Sequence, residues 1–373
     1  MAAGLSSGNK TAFAQCPDDS QGRLHTEPES PTRSPYQRDR DRIVHSAAFR
    51  RLQYKTQVFV YHEGDYYRTR LTHSIEVAQI ARSISRRLGL NEDLAEGLAL
   101  AHDLGHTCFG HAGEDALCKA MEDYGGFDHN EQTFRIVTLL ERRYAAFDGL
   151  NLTWETLEGL VKHNGPLTGA RAIESRAKTK VPNTIAAFDR RWPLALEGYA
   201  SAEAQVAALS DDIAYTNHDI DDGLRAGLFQ VQDLLDVPLA GPVFHEILKS
   251  HPNLEMQRVI HESVRRLIDK MVNDLLAETG RRLAELSPKT VEDIRKAPDP
   301  VVSFSEDMRR GEKELRRFLF QRMYRHYKVN RMTAKAREVV KDVFHHYMAE
   351  PTCLPDDWRE RAEAMDNPAT TGP

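Results

Sequence analysis

Apolar residues recur at helical spacing along most of the chain. The clearest run has apolar side chains at Met256, Val259, Ile260, Val264, Leu267, Ile268, Met271, Val272, Leu275 and Leu276. Intervals of three and four residues place these side chains on one face of a long helix, and Gly280 is positioned to end it. The same spacing predicts helices over 71–89, 91–103, 113–123, 130–145, 153–163 and 200–226. Because no sustained alternation of apolar and polar residues occurs, we expect an all-α protein.

Polar stretches interrupt this helical pattern in four places. Residues 1–34 are rich in Ser, Gly, Pro and Asp, which predicts a disordered leader. Residues 164–184 are polar, basic and loop-like, and residues 287–300 carry three prolines. The stretch 287–300 separates the long helix from a last basic helical region. The Pro-rich segment 351–373 predicts a flexible tail.

The composition is that of a globular protein with a sizeable core, since 40% of its 373 residues are hydrophobic and 28% are charged. A net charge of −6 argues against a globally basic nucleic-acid binder, although 137–143, 171–191 and 309–328 are locally basic. Four cysteines without paired spacing argue against disulfides and a thiolate zinc site. No apolar stretch reaches the roughly 18 residues of a membrane span, so we expect a cytoplasmic protein.

One segment concentrates residues that could bind a metal. AHDLGHTCFGHAGE, residues 101–114, contains His102, Asp103, His106, His111 and Glu114. Adjacent residues on a straight helix point about 100° apart, so His102 and Asp103 can converge on one ion only where a helix ends. Gly105 supplies such an ending two residues later. Imidazole and carboxylate ligands together suit Mn, Fe, Mg or Zn, but an isolated His-Asp pair is usually an accident of the surface.

Two other predicted helices carry further candidates. His73 lies in RTRLTHSIEVAQIARSI, where a lone histidine is more often a core or interface residue than a ligand. Asp211, Tyr215 and Asp219 occur at i, i+4 and i+8 and therefore form one stripe along a helix. In an active site this stripe would offer a metal ligand, a ring that packs against a sugar, and a carboxylate for a hydroxyl. On an ordinary surface it would only be solvated.

Together these residues resemble a known family. His73, the His102-Asp103 pair and Asp211 resemble the H…HD…D metal signature of the HD superfamily of phosphohydrolases. The segments that are similar to bacterial dGTP triphosphohydrolase-like proteins are RRLQYKTQVF (50–59), RTRLTHS (68–74), AHDLGHTCFGHAGED (101–115), FDHNEQ (127–132) and DDIAYTNHDIDDG (211–223). Cys108 stands where we expect a proline in that family's loop.

The resemblance implies how the chain is organised. It implies an all-α HD metal-dependent phosphohydrolase core over 35–226 and an associated C-terminal helical region over 227–350. It also implies a bound divalent metal, Mg or Mn, and a homo-oligomer. The implied metal ligands are His73, His102, Asp103 and Asp211, and the implied catalytic residues are His111, Glu114 and His129. Asp212 would replace Asp211 if the register slipped by one residue.

The resemblance also implies contacts with a nucleotide. Arg70 would contact the α-phosphate, while Gln57, Tyr215 and Asp219 would face the deoxyribose. KELRRFLFQRMYRHYKV (313–329) resembles the segment that contacts phosphate and base in animal dNTP hydrolases, and Arg316 and Tyr324 are the candidates within it. Lys162 in GLVKHNGP is a further candidate for a phosphate contact, although a lysine at a helix C-terminus also complements the helix dipole.

The activity implied is the removal of the whole triphosphate from a deoxynucleoside triphosphate, which yields a deoxynucleoside and inorganic triphosphate. One alternative is another HD phosphohydrolase, such as a 5′-nucleotidase or a (p)ppGpp hydrolase, which shares the metal ligands. Another is a catalytically silent regulator that binds nucleotides or nucleic acid; its hallmark would be a missing ligand or catalytic histidine, and none is missing. A purely structural helical domain is the third. The sequence leaves open the preferred base, a dNTP activator and binding of single-stranded nucleic acid.

Overall fold

The computed structural model describes residues 10–58, 67–172 and 181–366. Its helices are α1 (Pro35–Val44), α2 (Ala47–Arg51), α3 (Arg70–Leu88), α4 (Glu92–Ala101), α5 (Gly110–Ala120), α6 (His129–Arg135), α7 (Trp154–Val161), α8 (Asn183–Arg191), α9 (Ala202–Arg225), α10 (Val231–Leu234), α11 (Gly241–Ser250), α12 (Met256–Leu286), α13 (Val291–Arg295), α14 (Glu306–Leu319), α15 (Tyr327–Ala349) and α16 (Asp356–Asp366). π-Helical turns extend α6 over Ile136–Leu140 and α14 over Phe320–Tyr324. Within these ranges the only β-type pairs are isolated bridges, so the all-α prediction is confirmed.

The central layer consists of α3, α4 and α9, which pack against one another. α1 lies against α4, and α12 lies against α9. Sequence signals define the ends of α3: Thr69 and Thr72 form a capping box, and Gly89 ends the helix with a φ of 68°. α9 is buried around most of its circumference, including polar positions such as Asn217 and Asp219. Polar groups buried in this way need partners inside the protein.

The C-terminal region covers one side of this layer. α14 packs against α9, and α15 packs against α5. The C-terminal helices are therefore in continuous contact with the rest of the described helices. No helix of the described ranges is both long enough and apolar enough to cross a bilayer.

The prediction of a disordered leader is wrong for residues 10–34. The backbone N–H of Gln15 donates to the buried Glu203 carboxylate (2.8 Å), and the Asn91 amide donates to the Gln15 carbonyl (3.1 Å). Composition could not reveal these contacts, because the partners are carboxylates and amides buried in distant helices. Residues 1–9 lie outside the described ranges.

Several predicted boundaries also differ. α12 continues past Gly280 to Leu286, because Gly280 does not adopt the left-handed conformation that ends a helix and a single interior glycine costs only about 1 kcal/mol; Ser287, with a φ of 49°, ends it. The tail predicted over 351–373 contains α16, so it is helical as far as Asp366, and the rest lies outside the described ranges. Of the loop predicted over 164–184, residues 173–180 also lie outside them.

Asp39 in α1 holds the N-terminal segment to α7. Its side chain, 1% exposed, accepts from Arg23 (2.5 Å), from the backbone and hydroxyl of Thr153 (2.9 and 2.6 Å) and from the Thr156 hydroxyl (2.7 Å). We expect Asp39→Asn to lower the free energy of unfolding by about 3 kcal/mol, because it leaves a buried guanidinium without its charge partner. Urea denaturation of the full chain measures this change.

Asp41→Asn in the same helix is the matched control. Asp41 pairs with Arg33 at 2.9 Å, but both side chains are largely accessible to solvent. Its loss should cost less than about 1 kcal/mol. Equal losses for the two variants would contradict a special role for the buried pair.

Candidate active site

The candidate site begins where α4 ends. Ala101 is the last residue of that helix, and His102 and Asp103 follow in the turn. Gly105 permits this turn to lie against α6, since a Cβ there would be 2.1 Å from the His129 carbonyl oxygen. The Thr133 hydroxyl joins the two segments by accepting from the Gly105 N–H (2.9 Å) and donating to the His102 carbonyl (3.1 Å). Glycine at 105 is therefore needed for close packing; α4 ends earlier, at Ala101, and Gly105 does not adopt the left-handed conformation of a helix cap.

Three separate elements bring the four predicted metal ligands together. His73 comes from α3, His102 and Asp103 from the turn after α4, and Asp211 from α9. The Asp211 Oδ1 atom lies 2.9 Å from His73 Nε2 and 3.5 Å from His102 Nε2. Asp103 Oδ1 also lies 3.5 Å from His102 Nε2. The four side chains thus form one compact cluster.

The charges in this cluster suit a divalent cation. Burial would raise the pKa of Asp103 and of Asp211, but Arg70 in the first case and His102 in both hold these pKa values well below the ordinary range. Burial would lower the pKa of His102, yet the two carboxylates raise it to about 9. His102 Nε2 is buried and makes no hydrogen bond. The two ionised carboxylates are donors that fit Mg or Mn, and a bound divalent cation would take the place of the proton that they stabilise on His102.

Asp211 and Asp212 have different surroundings. Asp211 faces the histidines, whereas Asp212 Oδ1 accepts from Arg316 Nη2 (2.6 Å). The register chosen from the sequence is therefore the one that turns a carboxylate toward His73. Arg316, whose side chain is 46% exposed, also pairs with Glu312 (2.6 Å) and lies at the rim beside Asp212.

Two further histidines join the cluster that the sequence did not single out. His163 Nε2 lies 3.6 Å from Asp211 Oδ2, and its ring stacks on that of His102. His218 Nδ1 lies 3.1 Å from His73 Nδ1. Its pKa is lowered to about 4, chiefly by burial. His218 follows Asp211 by seven residues, or two helical turns, and this spacing was a signal that could have been used.

The prediction for Lys162 is corrected by the structure. Its side chain is buried, and its ammonium donates to Glu158 (2.9 Å) and to the Tyr199 carbonyl (3.4 Å). Glu158 also accepts from Arg295 (2.9 Å), so Lys162 belongs to an ion-pair network inside the fold. The neighbouring residue, His163, is the one that faces the candidate ligands.

The predicted catalytic residues form a second group beside the first. Glu114 accepts from two rings, with 3.1 Å between its Oε2 and His111 Nδ1 and 2.7 Å between its Oε1 and His129 Nδ1. Burial would raise the pKa of Glu114, but these two hydrogen bonds hold it far below its usual range. His129 stacks on His106 with ring centroids 4.0 Å apart, and His106 Nε2 lies 3.5 Å from Asp103 Oδ1. His106 thus connects this His–Glu–His unit to the ligand cluster.

Arg70 and Gln57 have buried polar groups without hydrogen-bond partners among the described residues. Arg70 Nη1 donates to Asp103 Oδ2 (2.6 Å), while its Nε and Nη2 atoms make no hydrogen bond. Both polar atoms of the Gln57 side chain are in the same situation. Leaving such groups unpaired costs about 1–3 kcal/mol each, so they indicate a place for a polar ligand.

Tyr215, Asp219 and Tyr324 meet further along the same face of α9, where the Tyr215 ring lies edge to face with His73 (ring centroids 6.3 Å apart). The Tyr324 hydroxyl donates to Asp219 and lies 2.7 Å from the Tyr215 hydroxyl. Burial raises the pKa of Asp219 to about 8. This carboxyl group is therefore largely protonated at neutral pH, and it can donate as well as accept a hydrogen bond.

The raised pKa of Asp219 makes stability depend on pH. The folded chain holds this proton up to about pH 8, whereas an unfolded aspartate releases it near pH 3.8. The stabilisation linked to Asp219 is thus present below about pH 4 and is lost as pH rises toward 8. In Asp219→Asn, which cannot ionise, we expect unfolding free energy to fall less than in wild type between pH 5 and pH 8. Parallel curves from chemical denaturation at each pH would contradict the assignment.

Comparisons with known proteins agree with this geometry. A family model described as HD domain matches residues 70–216, and one described as phosphohydrolase-associated domain matches residues 302–371. The chain is similar to curated proteins called deoxyguanosinetriphosphate triphosphohydrolase-like protein. The protein of Parvibaculum lavamentivorans is 59% identical, and the match covers 93% of this chain and 87% of the relative. The protein of Brucella ovis is 56% identical, with 96% of this chain and 89% of the relative covered. The protein of Cereibacter sphaeroides is 55% identical, with 96% of this chain and 92% of the relative covered. The chain therefore belongs to the deoxyguanosinetriphosphate triphosphohydrolase-like family of HD-domain phosphohydrolases.

Proposed function

We propose that this phosphohydrolase is a metal-dependent dNTP triphosphohydrolase, which converts a deoxynucleoside triphosphate into a deoxynucleoside and inorganic triphosphate. One observation carries the proposal: the His/Asp cluster, the unpaired N–H groups of Arg70 and the His–Glu–His unit adjoin one another. Cleavage at the α-phosphate needs these three functions together, namely metal binding, anion binding and proton donation to the leaving oxygen. The names of the similar proteins support the same substrate class.

In this proposal His73, His102, Asp103 and Asp211 hold the cation, which is Mg or Mn. When bound, it supplies Lewis-acid polarisation of a phosphate oxygen and acidifies water. His163 lies against Asp211 and His102 and restricts their orientation. Contacts from residues that do not themselves bind the metal keep the ligand atoms directed at one point.

Arg70 binds the α-phosphate through its Nε and Nη2 atoms. Its third nitrogen is held by Asp103, so the guanidinium plane is fixed before substrate arrives. Two parallel N–H groups match two phosphate oxygens and give a charge-assisted, bidentate contact. Burial strengthens this interaction because little water competes for the same groups.

His111 donates the proton that the reaction requires. Attack of a water oxygen on the α-phosphorus forms one P–O bond and breaks the bond to O5′, which leaves as an alkoxide. Glu114 holds the Nδ1 atom of His111, so the opposite ring nitrogen is directed outward to protonate O5′. His129, on the same carboxylate, assists by stabilising the developing charge or by relaying the proton.

The other end of the substrate lies against α9 and the segment after α14. Tyr215 packs against the deoxyribose, and its ring leaves no room for a 2′-hydroxyl. Asp219, protonated and bonded to Tyr324, reads the 3′-hydroxyl, and the unpaired amide of Gln57 provides a second sugar contact. Arg316 contacts the triphosphate from the rim.

The proposal also covers the location of the protein, its assembly and its further ligands. We expect a cytoplasmic homo-oligomer, and a dNTP activator and single-stranded nucleic acid are further ligands to test. Product analysis separates the main alternative from the proposal: a 5′-nucleotidase releases orthophosphate, and a (p)ppGpp hydrolase releases pyrophosphate. Each of the four dNTPs, singly and in mixtures, should be incubated with protein and Mg or Mn.

Asp211→Ala tests the metal site. Loss of a direct ligand should weaken Mn²⁺ binding at least about 100-fold, which is the largest loss usual when a residue that only orients a ligand is replaced. Isothermal titration and elemental analysis measure this directly. Asp212→Ala is the matched control, since Asp212 pairs with Arg316 and should leave metal affinity unchanged. Full occupancy in Asp211→Ala would refute the ligand set.

His111→Ala tests the proton donor. We expect kcat to fall by about 10²–10⁴, the usual contribution of general acid–base catalysis, while nucleotide affinity stays near that of wild type. His346→Ala, an exposed histidine of α15, serves as the control and should keep full activity. Release of inorganic triphosphate at a wild-type rate from His111→Ala would show that the role belongs to another residue.

A further inference from the structure

His218 lies behind His73, on the side away from the candidate metal ligands. We propose that His218 is a positioning residue which, together with Glu76, fixes His73 in the tautomer whose Nε2 atom is free to bind a cation. The proposal rests on the proposed role of His73 as a metal ligand, and it adds a function to two residues outside the predicted site.

The contacts form a short, buried chain. His73 Nδ1 and His218 Nδ1 are 3.1 Å apart, and the two rings meet edge to face with an interplanar angle of 81°. His218 Nε2 contacts Glu76 Oε2. On its other side, His73 Nε2 lies 2.9 Å from Asp211 Oδ1. His73 and His218 are 1% and 2% exposed, so their mutual contact is shielded from solvent, whereas the Glu76 side chain at the end of this chain of contacts is 45% exposed.

The positions of the protons follow from the carboxylate end. An ionised Glu76 can only accept, so His218 Nε2 must donate to it. The Nδ1 atom of a neutral His218 is then an acceptor, which requires His73 Nδ1 to donate. The remaining nitrogen of His73, Nε2, therefore carries a lone pair, and it faces the oxygen of Asp211. Two acceptors at this distance are compatible when a cation binds both.

Glu76 is itself held in place. Arg68 Nε donates to Glu76 (3.3 Å), and Arg68 Nη1 donates to Asp221 (2.8 Å) and Asp222 (3.0 Å) near the end of α9. The arginine thus connects Glu76 of α3 to α9 one helical turn after His218. A metal-binding histidine commonly donates its other ring N–H to a partner that fixes the orientation of the ring. Loss of such a partner typically lowers metal affinity about 10–100-fold.

Two substitutions at 218 separate the hydrogen bond from the packing. His218→Phe keeps an aromatic ring but removes the acceptor for His73 Nδ1. His218→Asn is smaller, yet its amide oxygen occupies the place of Nδ1 and can accept the same hydrogen bond. Asn217→Leu is the structural control: Asn217 is buried next to His218, but it bonds to the Ile213 carbonyl (2.8 Å) and lies against Met271.

The experiment is a titration of the full-length variants with MnCl₂ by calorimetry, with Tm measured on each. We expect the Kd for Mn²⁺ to rise 10–100-fold in His218→Phe and to stay within about threefold of wild type in His218→Asn. Asn217→Leu should lower Tm without changing this Kd. Rescue by asparagine is the result that a purely structural role would not produce.

Other outcomes overturn the inference. It fails if His218→Phe binds Mn²⁺ as tightly as wild type, if His218→Asn is no better than phenylalanine, or if wild type binds no Mn²⁺. It also fails if Asn217→Leu weakens binding as much as His218→Phe does. If the metal data agree but the products lack inorganic triphosphate, the proposed function fails and the role of His218 stands.

Discussion

Two carboxylates buried among histidines set the main constraint on this protein. Asp103 and Asp211 are ionised although their side chains are only 5% and 23% exposed, and ions in such places are costly unless opposite charge or hydrogen bonds surround them. Arg70 supplies part of the compensation for Asp103, and His102 supplies more for both carboxylates. The remaining capacity for positive charge is what makes the cluster suited to a cation. The elements around it are arranged to hold these groups at hydrogen-bonding distance from one another.

Near the end of α4, one glycine and one hydroxyl group allow the chain to pack closely enough to hold these groups together. Gly105 lets α6 approach the turn that carries His102 and Asp103, and Thr133 bonds to both sides of that approach. α6 in turn begins with His129, the partner of Glu114. Ligand cluster and His–Glu–His unit are therefore built on a single junction of the chain, although their residues come from distant parts of the sequence.

Much of this arrangement could be predicted from the sequence, for identifiable reasons. The all-α fold followed from apolar spacing, and the stripe through Asp211 and Asp219 followed from helical geometry. Contacts between distant buried polar groups could not be predicted, because hydropathy does not show which partner a polar residue meets. Lys162 illustrates this: its partner Glu158 is one helical turn away, but only the fold shows that both are buried. The packed N-terminal segment, bound to Glu203, is another example. The roles assigned to the individual site residues remain predictions.

The close approach at Gly105 has a consequence for how members of this family can diverge. The junction between the turn after α4 and α6 has no space for an added methyl group, so the His/Asp cluster and the His–Glu–His unit cannot shift relative to each other. The surroundings of Tyr324 are different. This residue belongs to the C-terminal region, and it contacts α9 through side-chain hydrogen bonds with Tyr215 and Asp219. If the proposed function holds, substitutions around Tyr324 can change nucleotide selectivity while the His/Asp cluster and the His–Glu–His unit stay in place.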